Sequence, residues 1–484
     1  MNTRILARGA LAVGIITALA ACDQGLTDVN VDPNAPTDVG PAYLLPQAIQ
    51  ASVGAVDGAG IMLTHTAIWP QQIVELQYPD EERGQVRPSR TQGYWDAFYA
   101  GYLTDIQAVV DKGAASGDAN IQAVGMIWKA WTFQQVTDTW GDVPYSQALQ
   151  AADGVTTPVY DEQKDIYTGM LADLTEASGM LGSGSGSFGS GDILYGNDFD
   201  KWRKFANSLR MRLAMRMSEV DPATAQSQFV AAYNAGGFTS VDDAAMLDWP
   251  GSPYRNPLFE NWQGRDDHGI SGTMVDTLTS LADPRLELYA EPASQDGEYR
   301  GLNNGIAKPP LSIAWYSRIG NFWRADGAAT PSAIMSYAEV LLLEAEAAAR
   351  GWIAADPAAL YTAGIRASMN QYDAWSPANA PTDAEIDAYL AQPRIAYDPA
   401  TGMDQIYLQQ WIALYLNGGE AWFNWRRTDM PDLAMGPDLA LSRIPIRLSY
   451  PDLEQSLNKT NVDAAVSRQG GGLDFTTPVW WDVH

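Results

Sequence analysis

The strongest constraint in this 484-residue sequence is a helical period that keeps returning in adjacent pairs. Residues 91–111 carry one apolar stripe (Tyr94, Phe98, Tyr102, Ile106, Val109). Residues 119–137 carry another (Ile121, Val124, Trp128, Trp131), with Asp118 placed as an N-cap. The same spacing recurs at 161–181 behind Asp161, at 199–218 behind Asp198 or Asp200, and at 222–235. It returns at 332–350, 355–372, 383–391 and 403–425. Each stripe has to be covered by another helix, so neighbouring helices form hairpins and the hairpins stack. The expected fold class is mainly α, a helix-pair repeat scaffold.

The period fails between 237 and 330. Prolines, glycines and aromatics alternate there, and only 272–281 reads as helix. Such an insertion on a regular scaffold suits a ligand-binding part. The run Gly182–Gly191 of glycine and serine reads as a flexible surface loop. A short extended tail, containing Ile444–Pro451 and then Trp480-Trp481, is expected to close the chain.

Charge and cysteine usage remove whole function classes. With 58 acidic against 30 basic residues the net charge is −28, which excludes a basic footprint for nucleic acid or for a membrane surface. One Cys excludes an intrachain disulfide framework and a Cys-rich zinc site, and His65, His268 and His484 are too far apart in sequence for a local metal motif. No cofactor is expected. Asp28, Asn30, Asp32 and Asn34 begin like a calcium loop, but Pro33 and Val39 stand where that loop needs Gly and Glu.

The single Cys falls where it has a meaning. Arg4 and Arg8 precede an apolar run, Leu11–Leu19, and the segment ends Leu19-Ala20-Ala21-Cys22. Residues 1–21 read as a removable leader and Cys22 as the acylated N-terminus of a lipoprotein, so the membrane is reached only through the lipid anchor. Residues 22–42, broken by Pro33, Pro36 and Pro41, read as a tether, with 43–484 as one domain.

Five stretches, in order, carry a resemblance: Leu26–Leu45 (LTDVNVDPNAPTDVGPAYLL), Phe133–Ala148 (FQQVTDTWGDVPYSQA), Lys201–Arg216 (KWRKFANSLRMRLAMR), Ile334–Gly351 (IMSYAEVLLLEAEAAARG) and Trp422–Asp429 (WFNWRRTD). Together they resemble the SusD/RagB family of outer-membrane nutrient-binding lipoproteins, in its SusD-like branch. The resemblance implies four tetratricopeptide-like helix pairs with an irregular ligand-binding part. It implies a location on the cell exterior, anchored in the outer membrane. It implies a SusC-like TonB-dependent transporter as partner, a glycan or in some systems a peptide as ligand, and no catalytic activity. Asp23 is discordant, because in enterobacteria an acid there signals inner-membrane retention, a rule that is not general among bacteria carrying this family.

A sugar presents a C–H face to an aromatic ring and hydroxyls to Asp, Asn, Gln or Arg. A glycan site therefore needs aromatics beside polar groups outside the helical stripes. Two segments supply the candidates. Residues 65–95 give Trp69, Tyr78 and Arg83, and residues 249–324 give Trp262, Arg265, Asp266, His268, Trp315, Tyr316 and Trp323. By contrast Trp128, Trp131, Trp202 and Trp411 sit on stripes as core, and Trp422 and Trp425 beside Arg426 and Arg427 read as structural. In TDTWGDVPY, Asp138 and Asp142 read as caps of a buried turn. A glycoside hydrolase is the alternative that the many carboxylates leave open, although no H-E-x-x-H, Walker A loop or Cys nucleophile is present. A peptide-binding or protein-interaction scaffold is the other alternative.

Overall fold

A computed structural model describes residues 38–472 and 474–484; the leader, Cys22 and most of the tether lie outside the described residues. Seventeen α-helices are present among them. The first, Pro41–Val56 (α1), starts inside the stretch expected to be tether. The stripe at 91–111 is two helices, Pro88–Ala97 (α2) and Leu103–Ser116 (α3), joined by a π-turn at Phe98–Tyr102. Then follow Ala119–Trp140 (α4), Gln163–Met180 (α5), Phe199–Arg216 (α6) and Pro222–Ala235 (α7). The irregular part holds three short helices, Pro257–Trp262 (α8), Gly272–Leu281 (α9) and Leu286–Tyr289 (α10). The scaffold resumes with Tyr337–Ala349 (α11), Pro357–Met369 (α12), Asp383–Leu390 (α13), Gly402–Ala413 (α14) and Glu420–Thr428 (α15), and ends with Asp452–Leu457 (α16) and Lys459–Arg468 (α17).

The helices pack as the stripes require. Consecutive neighbours from α3 to α7 lie against one another, α1 covers α3, and α11 joins the two halves by packing on α6, α12 and α14. Close approach decides the first crossing. A Cβ on Gly113 would lie 2.4 Å from the Gln122 nitrogen of α4, so only glycine fits there. Helix starts are fixed locally. Asp118 accepts from the Asn120 and Ile121 N–H groups at 3.1 Å, and Asp198 does the same for Asp200 and Lys201.

Five expectations are corrected. Residues 332–335 are a strand, not the start of a helix, and α11 begins only after Ser336 caps it. The stripe at 403–425 breaks because Leu416 and Gly418 are left-handed, with φ of 53° and 42°. The extended tail contains α16 and α17. The Gly182–Gly191 loop is not free: Asn120 bonds the Gly182 N–H (2.8 Å) and the Gly184 carbonyl (3.0 Å), Asp118 accepts from Gly186, and Phe188 is buried. Asp161 is also no cap, since its carboxylate accepts from the Tyr145 and Ser146 N–H groups.

The strands are short: Ile73–Glu75 (β1), Ala245–Leu247 (β2), His268–Ile270 (β3), Ala290–Glu291 (β4), Arg318–Ile319 (β5) and Ser332–Met335 (β6). They pair antiparallel as β1–β3, β2–β6 and β4–β5. Trp128, Trp131, Trp202, Trp411, Trp422 and Trp425 are all buried. Asp138 accepts from the Tyr167 hydroxyl and the Trp481 indole, and Asp142 from the Gln163 N–H, so this turn is an internal junction.

Candidate functional site

The irregular part is built on the β1–β3 ribbon, with Ile73 opposite Ile270 and Glu75 opposite His268. Past β1, the Leu76 and Gln77 N–H groups both donate to the Asp267 carbonyl, at 2.7 and 3.3 Å. The chain then turns at Tyr78 with φ of 61°. A left-handed Tyr costs about 1–2 kcal/mol, so the surrounding bonds must impose it. The result is a ring 64% exposed on a fixed loop. The Arg265 guanidinium lies 5.2 Å from its centroid and is itself held by Asp267 at 2.5 Å. One face of the ring is thus covered by a cation, and the remainder stays open.

Beside this platform, Asp266 lies between Arg318 (3.3 Å) and Arg324 (3.1 Å), with its Oδ1 unpartnered. Arg83 is half-buried and donates to the Asp438 carbonyl at 3.2 Å. Trp315 is half-buried, with Arg300 5.5 Å from its ring. These five candidates (Tyr78, Arg83, Arg265, Asp266 and Trp315) keep accessible surface.

The other five are inside the protein. Trp69 is 2% exposed, packed edge-on to His65 (4.7 Å) and Trp422 (5.0 Å). His268 bonds the Leu63 carbonyl through Nε2 at 2.8 Å, and burial pushes its pKa down to about 4, so it is neutral at pH 7. Tyr316 packs with Val74, Leu76 and Leu302. Trp323 sits among Tyr289, Tyr372 and Tyr415. Trp262 is buried with its indole N–H unpartnered. These residues support the loops and offer no ring face to solvent.

Where the segment after Tyr78 enters α2, at Arg87, a groove of about 510 Å³ opens. Arg87, Ser89, Arg90, Tyr94 and Tyr102 line it, between backbone stretches at Gly54–Gly60 and Gly93. Arg87 and Arg90 share Glu81, and the Tyr94 hydroxyl is buried without a partner. Sequence reasoning placed Tyr94 and Tyr102 on a core stripe and so missed them. The only signal was the density of glycines at 54, 58, 60 and 93.

Beneath the platform, Glu75, Glu81 and Glu82 are buried together. Glu82 accepts from the Glu75 N–H at 2.7 Å and from the Gly305 N–H, tying the loop down. Burial, reinforced by Glu82 and Glu81, pushes Glu75 up to about 10, and burial pushes Glu82 up to about 8. Among the described residues no group of three metal-ligating side chains converges. The site offers a ring face, guanidinium donors and a partly exposed carboxylate, the set that holds a hydroxylated ligand.

A mainly helical scaffold with an irregular ligand part describes a known class of binding protein, and comparison gives the class its name. Residues 33–451 match the SusD-like family model described as "Starch-binding associating with outer membrane", and the chain belongs to this family. A solved chitin-binding protein is 33% identical, with a TM-score of 0.83 over 92% of this chain and 100% of that one. A chitin-binding SusD homolog from Flavobacterium johnsoniae is 25% identical, with a TM-score of 0.79 over 91% and 99%. A SusD homolog from Bacteroides uniformis is 25% identical, with a TM-score of 0.80 over 91% and 100%. No functionally curated protein matches the chain in sequence. The family is one of carbohydrate-binding, outer-membrane-associated proteins. No helix among the described residues is long and apolar enough to cross a membrane.

Proposed function

We propose that this protein is a non-catalytic glycan-capture lipoprotein of the cell exterior. Residues 1–21 are removed, Cys22 is acylated in the outer membrane, and residues 22–42 form the tether. The protein captures oligosaccharides and delivers them to a SusC-like TonB-dependent transporter. The observation that carries the reading is the exposed Tyr78 ring, locked by its loop and stacked on one side by Arg265. A ring held in place loses little freedom when a sugar settles on it, so the contact is pre-organised. The Arg87/Arg90 groove and the partly exposed Asp266 carboxylate supply partners for hydroxyls and for the carbonyl of an N-acetyl group. The two chitin-binding relatives support oligomers of N-acetylglucosamine as the first ligands to try.

Calorimetric titration of the full-length chain in detergent against N-acetylglucosamine oligomers, starch fragments and oligopeptides tests this. Saturable heat with a glycan and no released product is expected. Continuing turnover, or heat from peptides alone, would replace the reading.

A further inference from the structure

A second groove, of about 520 Å³, opens where the turn after α12 faces β2. Trp375 stands on that turn, 37% exposed. The turn is rigid. The Trp375 and Ser376 N–H groups both donate to the Tyr372 carbonyl (3.0 and 2.8 Å), and Tyr372 is buried against Phe322 and Trp323. Gln371 lines the same groove at 5% exposure, and its Oε1 has no partner. Asp248, Asp242 and Asp373 complete the wall with one ammonium, Lys201. Asp248 lies at the indole: partial burial pushes its carboxyl up and the Trp375 side chain draws it back.

We propose that this groove is a second sugar subsite, separate from the Tyr78 platform, and that it selects protonated amino sugars over uronic acids. The proposal rests on the reading of the protein as a glycan binder and adds a place and a charge preference to it. The indole supplies the surface for a pyranose face, and its π-cloud also attracts an ammonium group. The buried, unpartnered Gln371 Oε1 calls for a donor, which a sugar hydroxyl or ammonium supplies. Three carboxylates against one ammonium make the groove acceptor-rich and negative, which favours a cationic sugar and repels a carboxylated one. The Tyr78 platform has the opposite bias, because guanidinium groups dominate it.

The test is calorimetric titration of the full-length chain with glucosamine oligomers, their N-acetylated counterparts and galacturonate oligomers, at mildly acidic pH. Wild type is compared with Trp375→Ala, Trp375→Phe, Asp248→Asn and Tyr78→Ala. Trp375→Ala is expected to weaken glucosamine-oligomer binding about five- to tenfold, the scale of one lost aromatic surface, with Trp375→Phe restoring most of it. Asp248→Asn is expected to shrink the preference for the amine over its N-acetylated form. Tyr78→Ala should weaken the N-acetylated oligomers at the other site and so widen that preference, with the effect of Trp375→Ala on glucosamine oligomers still present. Equal binding of glucosamine oligomers by wild type and Trp375→Ala, or a loss of galacturonate binding in Trp375→Ala as large as that of glucosamine oligomers, would overturn the subsite while leaving the Tyr78 platform standing. Absence of binding by every oligomer would overturn both readings.

Discussion

The helix pairs and the loops around Tyr78 treat charge in different ways. Inside the scaffold, arginines and acids are buried as partners. Arg427 holds Glu346 at 2.7 Å, Arg212 holds Glu339 at 2.5 Å, and Arg216 pairs with Glu420. Around Tyr78, Arg265 and Asp267 stay near the surface, the Asp266 side chain is 41% exposed, and the deeply buried acids Glu75 and Glu82 have no arginine of their own. The first arrangement fixes how helices meet, since a buried ion without its partner is costly. The second leaves groups available to a ligand.

The largest effect should come from breaking the first arrangement. Arg427→Met leaves Glu346 charged, fully buried and short of its main partner. A loss of about 3–5 kcal/mol is expected in urea unfolding. A loss below about 1 kcal/mol would show that the pair does not organise the junction of α11 and α15.

Next in size is a split in pH response. For Glu75, the folded pKa of about 10 stands above the ordinary 4.5. Its stabilisation is fully present below that ordinary value and is lost as pH rises toward the folded one. Each such group contributes a slope on the order of 1.4 kcal/mol per pH unit within that window. For Glu346, burial raises the carboxyl, but Arg427, Arg350 and Gln410 together more than offset it, and the net shift is down. Its stabilisation is present above the ordinary pKa and is lost as pH falls through the depressed one. Amide exchange should therefore quicken in β1 and the Tyr78 loop at alkaline pH, and in α11 at acidic pH. Glu75→Gln should flatten the alkaline limb alone. Equal responses in both regions would erase the contrast.

That contrast also explains what could be read from the residues. Helices α4, α6, α7 and α9 follow their expected spans closely, because a stripe and an N-cap are local features. Helix α1 was hidden by Pro41 and Pro46, although Pro41 occupies the first turn, where proline is tolerated. In the irregular part the aromatics were legible as residues and not as surfaces. Whether Trp69 or Tyr78 faces solvent depends on Trp422 and Arg265, far away in the sequence. Period cannot report such partners, so half of the candidates proved buried, while Tyr94 and Trp375 went unnoticed.

Binding should respond where stability does not. Tyr78→Ala removes an exposed ring, so unfolding should shift by less than about 0.5 kcal/mol. Affinity for N-acetylglucosamine oligomers should fall by about 1 kcal/mol, roughly fivefold. Equal losses in stability and affinity would mean that the ring serves the fold.

The smallest expected effect is also the sharpest. Arg265→Lys keeps the charge near Tyr78 and Asp267 but replaces a planar fork with a point ammonium. The guanidinium both stacks on the ring and meets Asp267, whereas an ammonium satisfies one of these at a time. The ring should then lose its backing and sample more orientations. Glycan affinity should drop about twofold, a few tenths of a kcal/mol, with unfolding unchanged. Because the net charge is the same, salt dependence of binding should not change either. A larger loss that salt removes would assign Arg265 to direct contact with the ligand. An unchanged affinity would mean that the Tyr78 loop alone orients the ring, and that its left-handed turn is sufficient pre-organisation.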